Sequence, residues 1–259
     1  NSTWILMRSA TDVWEGGLGS SSGELGHNLM DHHFRTGASG TMDGFDDKEV
    51  FGHRPTGFYI PRYQNLGKDK RDFLRGWGYQ GGASRAGWQR AVAELGVGAD
   101  FKEAMCRPGD WGIGATGFGE MLPNHDNRVW IDHGRTDKWG LPVLAIDCAI
   151  GENEELQREA MRNDMAEMLE AAGARDVRTW DDGYAPGMGI HELGTARMGR
   201  DPKTSVLNKW NQVWDCKNVF VTDGSFMTTA ANQNPSLTYM AFTARAADYA
   251  VEELKRRNL

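Results

Sequence analysis

The sequence predicts an α/β fold in which long helices flank a sheet of short strands. Two segments, residues 152–172 and 235–255, carry apolar residues at helical spacing. Short apolar runs bounded by glycine and turn residues, within 34–63 and 129–146, are typical of strands. At 259 residues the chain is long enough for one large domain or two small ones.

The first half of the chain is predicted to be rich in strands. Residues 1–9 are predicted to be the end of a helix, and a Gly/Ser loop follows from Gly16 to Gly23. Residues 34–63 alternate apolar and polar runs with frequent glycine, which indicates strands and turns. Val129–Ile131 and Val143–Ile146 are further predicted strands, joined by a turn-rich segment.

The helix at 152–172 is the strongest local prediction. Its glutamate-rich first turn suits the positive end of the helix dipole, and Gly173 suits the position after the helix. Spaced apolar residues mark one face: Leu156, Met161, Met165, Met168 and Ala172. The Gly/Asp/Pro-rich residues 181–190 then indicate a domain boundary.

The C-terminus is predicted to run strand, short loop, helix. Val219–Val221 is a short apolar run typical of a buried strand. The final helix is predicted from Pro235 to about Lys255, because Asn234 favours the capping position and proline suits the first helical position. An apolar stripe follows along it: Leu237, Met240, Ala241, Ala244, Ala247, Val251 and Leu254.

Net charge, apolar stretches and cysteine content limit the kinds of partner and the cellular locations that the sequence favours. A net charge of −7 argues against nucleic acid as the main partner, and the apolar stretches are too short for a membrane span. The chain starts without a charged, apolar leader, so no secretory signal is predicted. Cys106, Cys148 and Cys216 lack any paired spacing, which predicts reduced thiols and fits a cytoplasmic protein without excluding the periplasm.

Three segments near the C-terminus follow one another in a fixed order. The first is His191–Gly199 (HELGTARMG), and the second is Val221–Phe226 (VTDGSF) after the predicted strand. The third is Asn234–Thr238 (NPSLT), which opens the last helix, and Arg245–Tyr249 (RAADY) lies further along that helix.

Together these segments resemble the closing part of the glucose–methanol–choline (GMC) family of flavin oxidoreductases. They are most similar to the bacterial sugar and glucoside dehydrogenases, whose relatives include pyranose oxidases. Upstream, Ser22–Gly26 and Asn28–His32 are more weakly similar to the family's segment between flavin domain and substrate domain. Residues 119–129 look like one strand of the family's substrate-domain sheet.

The resemblance implies a domain organisation and a cofactor. Residues 1–33 and 181–259 would be parts of a Rossmann-like FAD-binding domain. Residues 34–180 would form a substrate-binding domain on a largely antiparallel sheet with flanking helices. The implied cofactor is FAD, bound non-covalently as far as this chain shows.

The catalytic pair implied by the resemblance is His191 and Asn234. Oxidising an alcohol by hydride transfer needs a base for the hydroxyl proton, and a histidine titrates near neutrality. An asparagine amide can hold the hydroxyl in line without taking up charge.

The resemblance also implies which residues contact FAD. Asp223, Gly224 and Ser225 match the family's loop near the ribityl and pyrophosphate groups. Asn234, Pro235 and Ser236 open a helix whose N-terminus would stabilise negative charge on the reduced flavin.

Residues 112–117 (GIGATG) match the dinucleotide-binding pattern G-x-G-x-x-G, but we reject that interpretation. The pattern needs a preceding strand and a following helix, whereas Pro108 and Pro123 flank a strand-like run. The family's N-terminal FAD-binding half is therefore expected outside this sequence, either on the same protein or on a separate chain.

Two further patterns are weaker. His27, Asp31, His32 and His33 resemble a metal cluster, but adjacent histidines point apart on a strand, so we predict a connector with buried, hydrogen-bonded histidines and no metal site. Tryptophans 77, 88 and 111 offer sugar-stacking faces, although large aromatics more often serve the core.

The predicted function is oxidation of a sugar or glycoside hydroxyl to a ketone, with proton abstraction by His191 and hydride transfer to flavin N5. One alternative is oxidation of a non-sugar alcohol by the same chemistry. Another is a non-catalytic fragment or subunit of a split flavoprotein. An electron-acceptor subunit is a further expected partner, and with it the periplasm is a possible location.

Overall fold

The computed structural model of the protein describes residues 1–48, 57–87, 96–183, 185–187 and 190–259. Its helices are α1 (Ser2–Arg8), α2 (Ala99–Met105), α3 (Glu152–Ala171) and α4 (Ser236–Lys255). Its strands are β1 (His32–Met42), β2 (Phe58–Ile60), β3 (Trp77–Arg85), β4 (Trp111–Glu120), β5 (Arg128–Thr136), β6 (Pro142–Asp147), β7 (Arg175–Asp181), β8 (Gln212–Val213) and β9 (Cys216–Phe220).

The chain divides into two compact units. Unit 1 comprises Asn1–His33, Glu120–Glu154 and Ala185–Leu259, and unit 2 comprises Phe34–Gly119 and Glu155–Tyr184. The predicted α/β class, with a largely antiparallel sheet and flanking helices, is confirmed. The assignment of 1–33 and 181–259 to an FAD domain and of 34–180 to a substrate domain stays a prediction.

Unit 2 is built on a five-stranded sheet with the order β2-β3-β4-β1-β7. The pairs β2–β3, β3–β4 and β1–β7 are antiparallel. The predicted long helix is confirmed as α3, and Gly173 after it has a φ of +89°. Its Met161 and Met165 are buried in one core cluster with Trp77 and Tyr79 of β3, so the helix covers an apolar sheet face.

The core interpretation holds for one of the two of these tryptophans that the structure describes. Trp77 is fully buried, so it presents no face to a sugar. Trp111 is half-buried and its indole N–H donates to the carbonyl of Phe45 at 3.1 Å. Trp88 lies outside the described residues.

The G-x-G-x-x-G pattern at 112–117 lies within strand β4, which pairs antiparallel with β3. A Cβ on Gly117 would lie 2.0 Å from the sulfur of Met161 on α3. The glycine therefore allows a close approach of helix and sheet, and the rejection of a dinucleotide site here is confirmed.

Unit 1 contains α1, the antiparallel pair β5–β6, the short pair β8–β9 and α4. The predicted strands at 129–131 and 143–146 are confirmed as β5 and β6. The expectation of one strand across 119–129 is wrong, because β4 ends at Glu120 and β5 begins at Arg128. Leu6, Leu25, Val206 and Phe226 belong to the apolar core of this unit.

The predicted buried strand at Val219–Val221 is confirmed in part. Strand β9 ends at Phe220, and its Val219 packs on the core of unit 1. Lys217 and Asn218, which precede the predicted run, are exposed. Strand β9 pairs with the two-residue strand β8, and Val221, just after it, is the buried residue. A strand in a two-stranded ribbon has one face free for polar side chains.

Helix α4 starts one residue later than expected, at Ser236, and its N-cap is Pro235 instead of Asn234. The carbonyl of Pro235 accepts the first helical hydrogen bond, from Tyr239 N at 3.0 Å. Tyr239 and Phe242 pack on the unit 1 core, whereas the large stripe residues are exposed: Leu237, Met240, Val251 and Leu254. In the described part of the chain, no helix combines the length and apolar character needed to cross a bilayer.

Candidate active site

Two distant segments of unit 1 meet beside the predicted catalytic histidine. Met30 and Leu193 form an antiparallel bridge, with N–H to carbonyl distances of 3.0 and 2.8 Å. This bridge brings the residues after Met30 next to the residues before Leu193. His32, at the start of β1, thereby reaches His191.

The carboxylate of Asp31 organises the backbone around this meeting point. It is fully buried and accepts hydrogen bonds from the backbone N–H groups of His32 (2.7 Å), Gly187 (3.3 Å) and His191 (3.4 Å). Burial and the nearby Glu192 charge raise the pKa of Asp31 from 3.8 to about 6, although the three N–H groups oppose the shift. Asp31 therefore fixes the position of the His191 backbone.

His32 and His191 form a side-chain pair. Their Nδ1 atoms lie 2.6 Å apart, and the rings meet edge to face with centroids at 4.7 Å. His32 is 1% exposed, and its Nε2 donates to the carbonyl of Ala231. Burial lowers the pKa of His32 from 6.5 to about 4, and burial also lowers the pKa of the half-buried His191. Both rings are therefore neutral at neutral pH.

The first two sequence segments lie side by side. Gly194 N donates to Gly224 O at 3.2 Å, Ala196 N to Ser225 O at 2.8 Å, and Met198 N to Phe226 O at 2.9 Å. Gly194 has a φ of +94°, and a Cβ there would lie 2.2 Å from Asn28 O, so only glycine fits this position. The glycine thus keeps the histidine segment close to both of its neighbours.

The loop at 223–225 is tied mainly to itself. The exposed Asp223 accepts hydrogen bonds from the backbone N–H of Ser225 at 3.1 Å and from the Ser225 hydroxyl. It also accepts from the Ser2 hydroxyl at 2.6 Å. Gly224 and Ser225 are buried, and Gly224 opens a short 3₁₀-helix that ends at Phe226. The side chains of this loop therefore hold its shape.

The third segment presents the other predicted residues at the start of α4. Asn234 and Ser236 are exposed, and Pro235 is buried between them. The N-cap residue Pro235 makes no side-chain capping hydrogen bond, and the first turn of the helix carries no acidic residue. Ala231, three positions before Asn234, accepts from His32, which connects this segment to the histidine pair.

The predicted connector with buried, hydrogen-bonded histidines is confirmed for His32. His27 belongs elsewhere, because its ring stacks on His125 at 4.0 Å and its Nδ1 contacts the His125 carbonyl at 2.8 Å. Asp31 and His32 were missed as partners of His191. Two signals marked them: the weak resemblance of Asn28–His32 to a connector segment, and the run of histidines with Asp31 for which buried, hydrogen-bonded side chains are predicted.

Comparison with known proteins finds a matching family. Residues 123–243 match the family model described as GMC oxidoreductase. The part of the chain from residue 123 to residue 243 is therefore similar to the GMC oxidoreductases. The resemblance inferred from the three segments is thereby confirmed.

Similar proteins include oxidases and dehydrogenases. The 2-methyl-1,2-propanediol dehydrogenase of Mycolicibacterium austroafricanum is 33% identical over 95% of this chain and 45% of its own length. The paromamine 6'-oxidase of Streptomyces fradiae is 37% identical over 52% of this chain and 25% of its own length. The fructose dehydrogenase large subunit of Gluconobacter japonicus is 26% identical over 97% of this chain and 45% of its own length. The chain thus spans less than half of each relative.

Proposed function

We propose that this chain is the catalytic portion of an FAD-dependent oxidoreductase that oxidises a hydroxyl of a sugar or glycoside to a ketone. The observation that carries the proposal is a neutral His191 held beside a buried partner and close to the segment that leads into Asn234. Similarity to paromamine and fructose enzymes supports a carbohydrate substrate.

In this proposal His191 is the base. Burial keeps its pKa below the ordinary value, so the ring is unprotonated at neutral pH and ready to accept the hydroxyl proton. Its backbone is tied to Asp31, which limits the movement of the ring relative to the substrate. The imidazole would become cationic as the hydroxyl loses its proton, and the exposed Glu192 favours that charge.

Asn234 would hold the same hydroxyl. It is exposed just before α4, and the N-cap of that helix is Pro235. An exposed amide that follows the segment in contact with the histidine pair supports the positioning role.

The chemistry of the described residues fits FAD. The N-cap residue Pro235 offers no side-chain acceptor, and no acidic residue lies in the first turn of α4, so the N-terminus of this helix favours a negatively charged partner. We propose that Asn234, Pro235 and Ser236 line the ring and that Asp223, Gly224 and Ser225 shape the loop beside the cofactor's ribityl and pyrophosphate groups. When bound, FAD supplies the acceptor for the hydride.

We further propose that a dinucleotide-binding half, on the same protein or on a separate chain, completes the site. The exposed Leu237, Met240, Val251 and Leu254 on α4 supply an apolar face for it. The name of the fructose dehydrogenase large subunit implies a further subunit in that enzyme, which supports an electron-accepting partner here. Intact mass and the visible spectrum of the purified protein test both expectations.

The proposal is tested by His191→Ala in the complete, FAD-loaded protein. We expect the rate of flavin bleaching by substrate under anaerobic conditions to fall by about 10² to 10⁴, since the general base is lost. The flavin absorbance after gel filtration should be unchanged. The matched control is His133→Ala, an exposed histidine of β5 in the same unit. Bleaching by His191→Ala at the control's rate would remove His191 from the mechanism.

A second candidate keeps the chemistry and changes the substrate to a non-sugar alcohol. It is favoured by the similarity to 2-methyl-1,2-propanediol dehydrogenase, which extends over 95% of this chain. A panel of sugars, glycosides and short diols, scored by anaerobic flavin bleaching, separates the two candidates. Bleaching by diols alone would replace the carbohydrate proposal.

A further inference from the structure

We propose that His32 is a positioning residue that holds His191 in the tautomer whose Nε2 accepts the substrate proton. This inference rests on the proposed role of His191 as the base. Its basis is a chain of contacts in unit 1, from the Ala231 carbonyl through both nitrogens of His32 to Nδ1 of His191.

The carbonyl end of this chain sets the proton positions. A carbonyl oxygen only accepts hydrogen bonds, so the His32 Nε2 that contacts Ala231 O carries a proton. His32 is neutral, because burial lowers its pKa to about 4, and a neutral imidazole carries one ring proton. The Nδ1 of His32 is therefore an acceptor.

The tautomer of His191 follows from that acceptor. Its Nδ1 lies 2.6 Å from the His32 Nδ1, a distance at which two lone pairs would repel and one N–H is needed. His191 therefore carries its proton on Nδ1 and leaves the lone pair on Nε2. The opposite tautomer would place a proton where the base must accept one.

The same contacts fix where each ring proton lies after the substrate hydroxyl has lost its proton. When the substrate hydroxyl loses its proton to Nε2, His191 becomes an imidazolium and still donates from Nδ1 to His32. His32 keeps its own proton on Nε2 through its bond to Ala231. Its low basicity prevents transfer of the second proton from His191, so the charge stays on the ring that faces the reaction.

A merely space-filling role for His32 makes different predictions. His32 is 1% exposed, so a substitution there changes packing as well as hydrogen bonding. His32→Phe keeps a ring and removes the acceptor, whereas His32→Gln keeps an acceptor and a donor on one planar group. If His32 only filled space, His32→Gln would have no reason to restore the turnover number or the His191 tautomer.

The test uses the complete, FAD-loaded protein with ¹⁵N-labelled histidine. Long-range ¹H–¹⁵N correlation spectra of the substrate-free protein report which nitrogen of His191 carries the proton. We expect Nδ1–H alone in the wild type, a mixture of both tautomers in His32→Phe, and Nδ1–H again in His32→Gln. The turnover number should fall about 10- to 100-fold in His32→Phe with KM within about threefold, and His32→Gln should recover most of it.

The control is His27→Gln, which removes another histidine of the same segment that bonds to a carbonyl. It should leave the His191 tautomer and the turnover number unchanged. A wild-type spectrum with the proton on Nε2 of His191 would overturn the inference without any variant. An inactive His191→Ala together with an unaltered tautomer and rate in His32→Phe would sink the inference alone. A fully active His191→Ala would sink the proposed function itself.

Discussion

The interiors of the two units differ in what they bury. Unit 2 buries an apolar cluster between one sheet and one helix, in which Trp77, Tyr79, Met161 and Leu169 interlock. Most of the buried polar side chains of the described residues lie instead in unit 1, and they include Asp31, His32, Thr195 and Ser225. The interior of unit 2 depends mainly on how its apolar side chains pack. The interior of unit 1 depends in addition on whether its buried polar side chains find hydrogen-bond partners.

This difference separates stability from chemistry. The buried Arg158 of unit 2 pairs with Asp181 and donates to the Phe34 carbonyl at 3.1 Å, which satisfies a charge in a structural role. In unit 1 the buried groups meet around His191 and set its backbone position and its protons. Unit 2 should therefore respond mainly to changes of side-chain volume, whereas unit 1 should respond to changes of proton affinity as well as of volume.

The largest expected effect is a volume change in unit 2. In Gly37→Ala the new Cβ would lie 2.0 Å from the backbone carbonyl of Ala115 and 3.0 Å from the ring of Trp180. A carbonyl in the middle of a sheet cannot retreat without loss of strand pairing, so we expect a loss of about 3 kcal/mol or more in unfolding free energy. Denaturant unfolding of the complete protein measures it.

Gly82→Ala is the matched control, because it lies in the same sheet and its Cβ would meet nothing within 4 Å. It should change the unfolding free energy by less than about 0.5 kcal/mol. Equal losses in both variants would mean that the sheet relaxes freely, and the packing description of unit 2 would fail.

The regular elements of both units could be predicted because their signals are local. The spacing of Met161 and Met165 with Gly173 after them defines α3, and alternating runs define β5 and β6. The exposure of the α4 stripe could not be predicted. It depends on which surface packs against the helix, and Leu237 carries no local mark that distinguishes a core face from an outer one.

The candidate site was predictable in one half only. The order of the three C-terminal segments identified His191 and Asn234, since each segment has its own local pattern. The contact between His32 and His191 joins residues 159 positions apart and leaves no periodicity in the sequence. Its consequence for the tautomer depends on the Ala231 carbonyl, which any residue at that position would supply.

The next effect concerns charge in unit 1 and is a pH dependence. The pKa of Asp31 is raised in the folded state, from 3.8 to about 6, so Asp31 makes the protein lose stability as the pH rises through this interval. The pKa of His32 is lowered, from 6.5 to about 4, so His32 makes the protein gain stability over nearly the same interval. The two contributions, each about 3 kcal/mol at most, oppose each other in the wild type.

Asp31→Asn should reveal the contribution of His32 to the pH dependence of the unfolding free energy. We expect the unfolding free energy of this variant to rise between pH 4 and 6 by about 2 kcal/mol more than that of the wild type, since only the histidine still titrates. Asp12→Asn, at an exposed carboxyl of the same unit, should follow the wild-type slope. Parallel curves for Asp31→Asn and the wild type would mean that burial does not control these groups.

The smallest effect tests whether unit 1 tolerates a lone buried hydroxyl. Thr3 and Thr195 are 5% and 7% exposed, and their hydroxyl oxygens lie 2.6 Å apart. Thr3→Val or Thr195→Val leaves one hydroxyl without this partner, so each should lower the unfolding free energy by about 1 kcal/mol. The control Thr136→Val, at an exposed position, should lower it by less than about 0.5 kcal/mol. The double variant should cost clearly less than the sum of the two, because it removes both polar groups. If the losses in unfolding free energy added strictly, water would be replacing the missing hydroxyl partner. Water would then reach the interior of unit 1, and the contacts around His191 would hold its tautomer less firmly than their geometry implies.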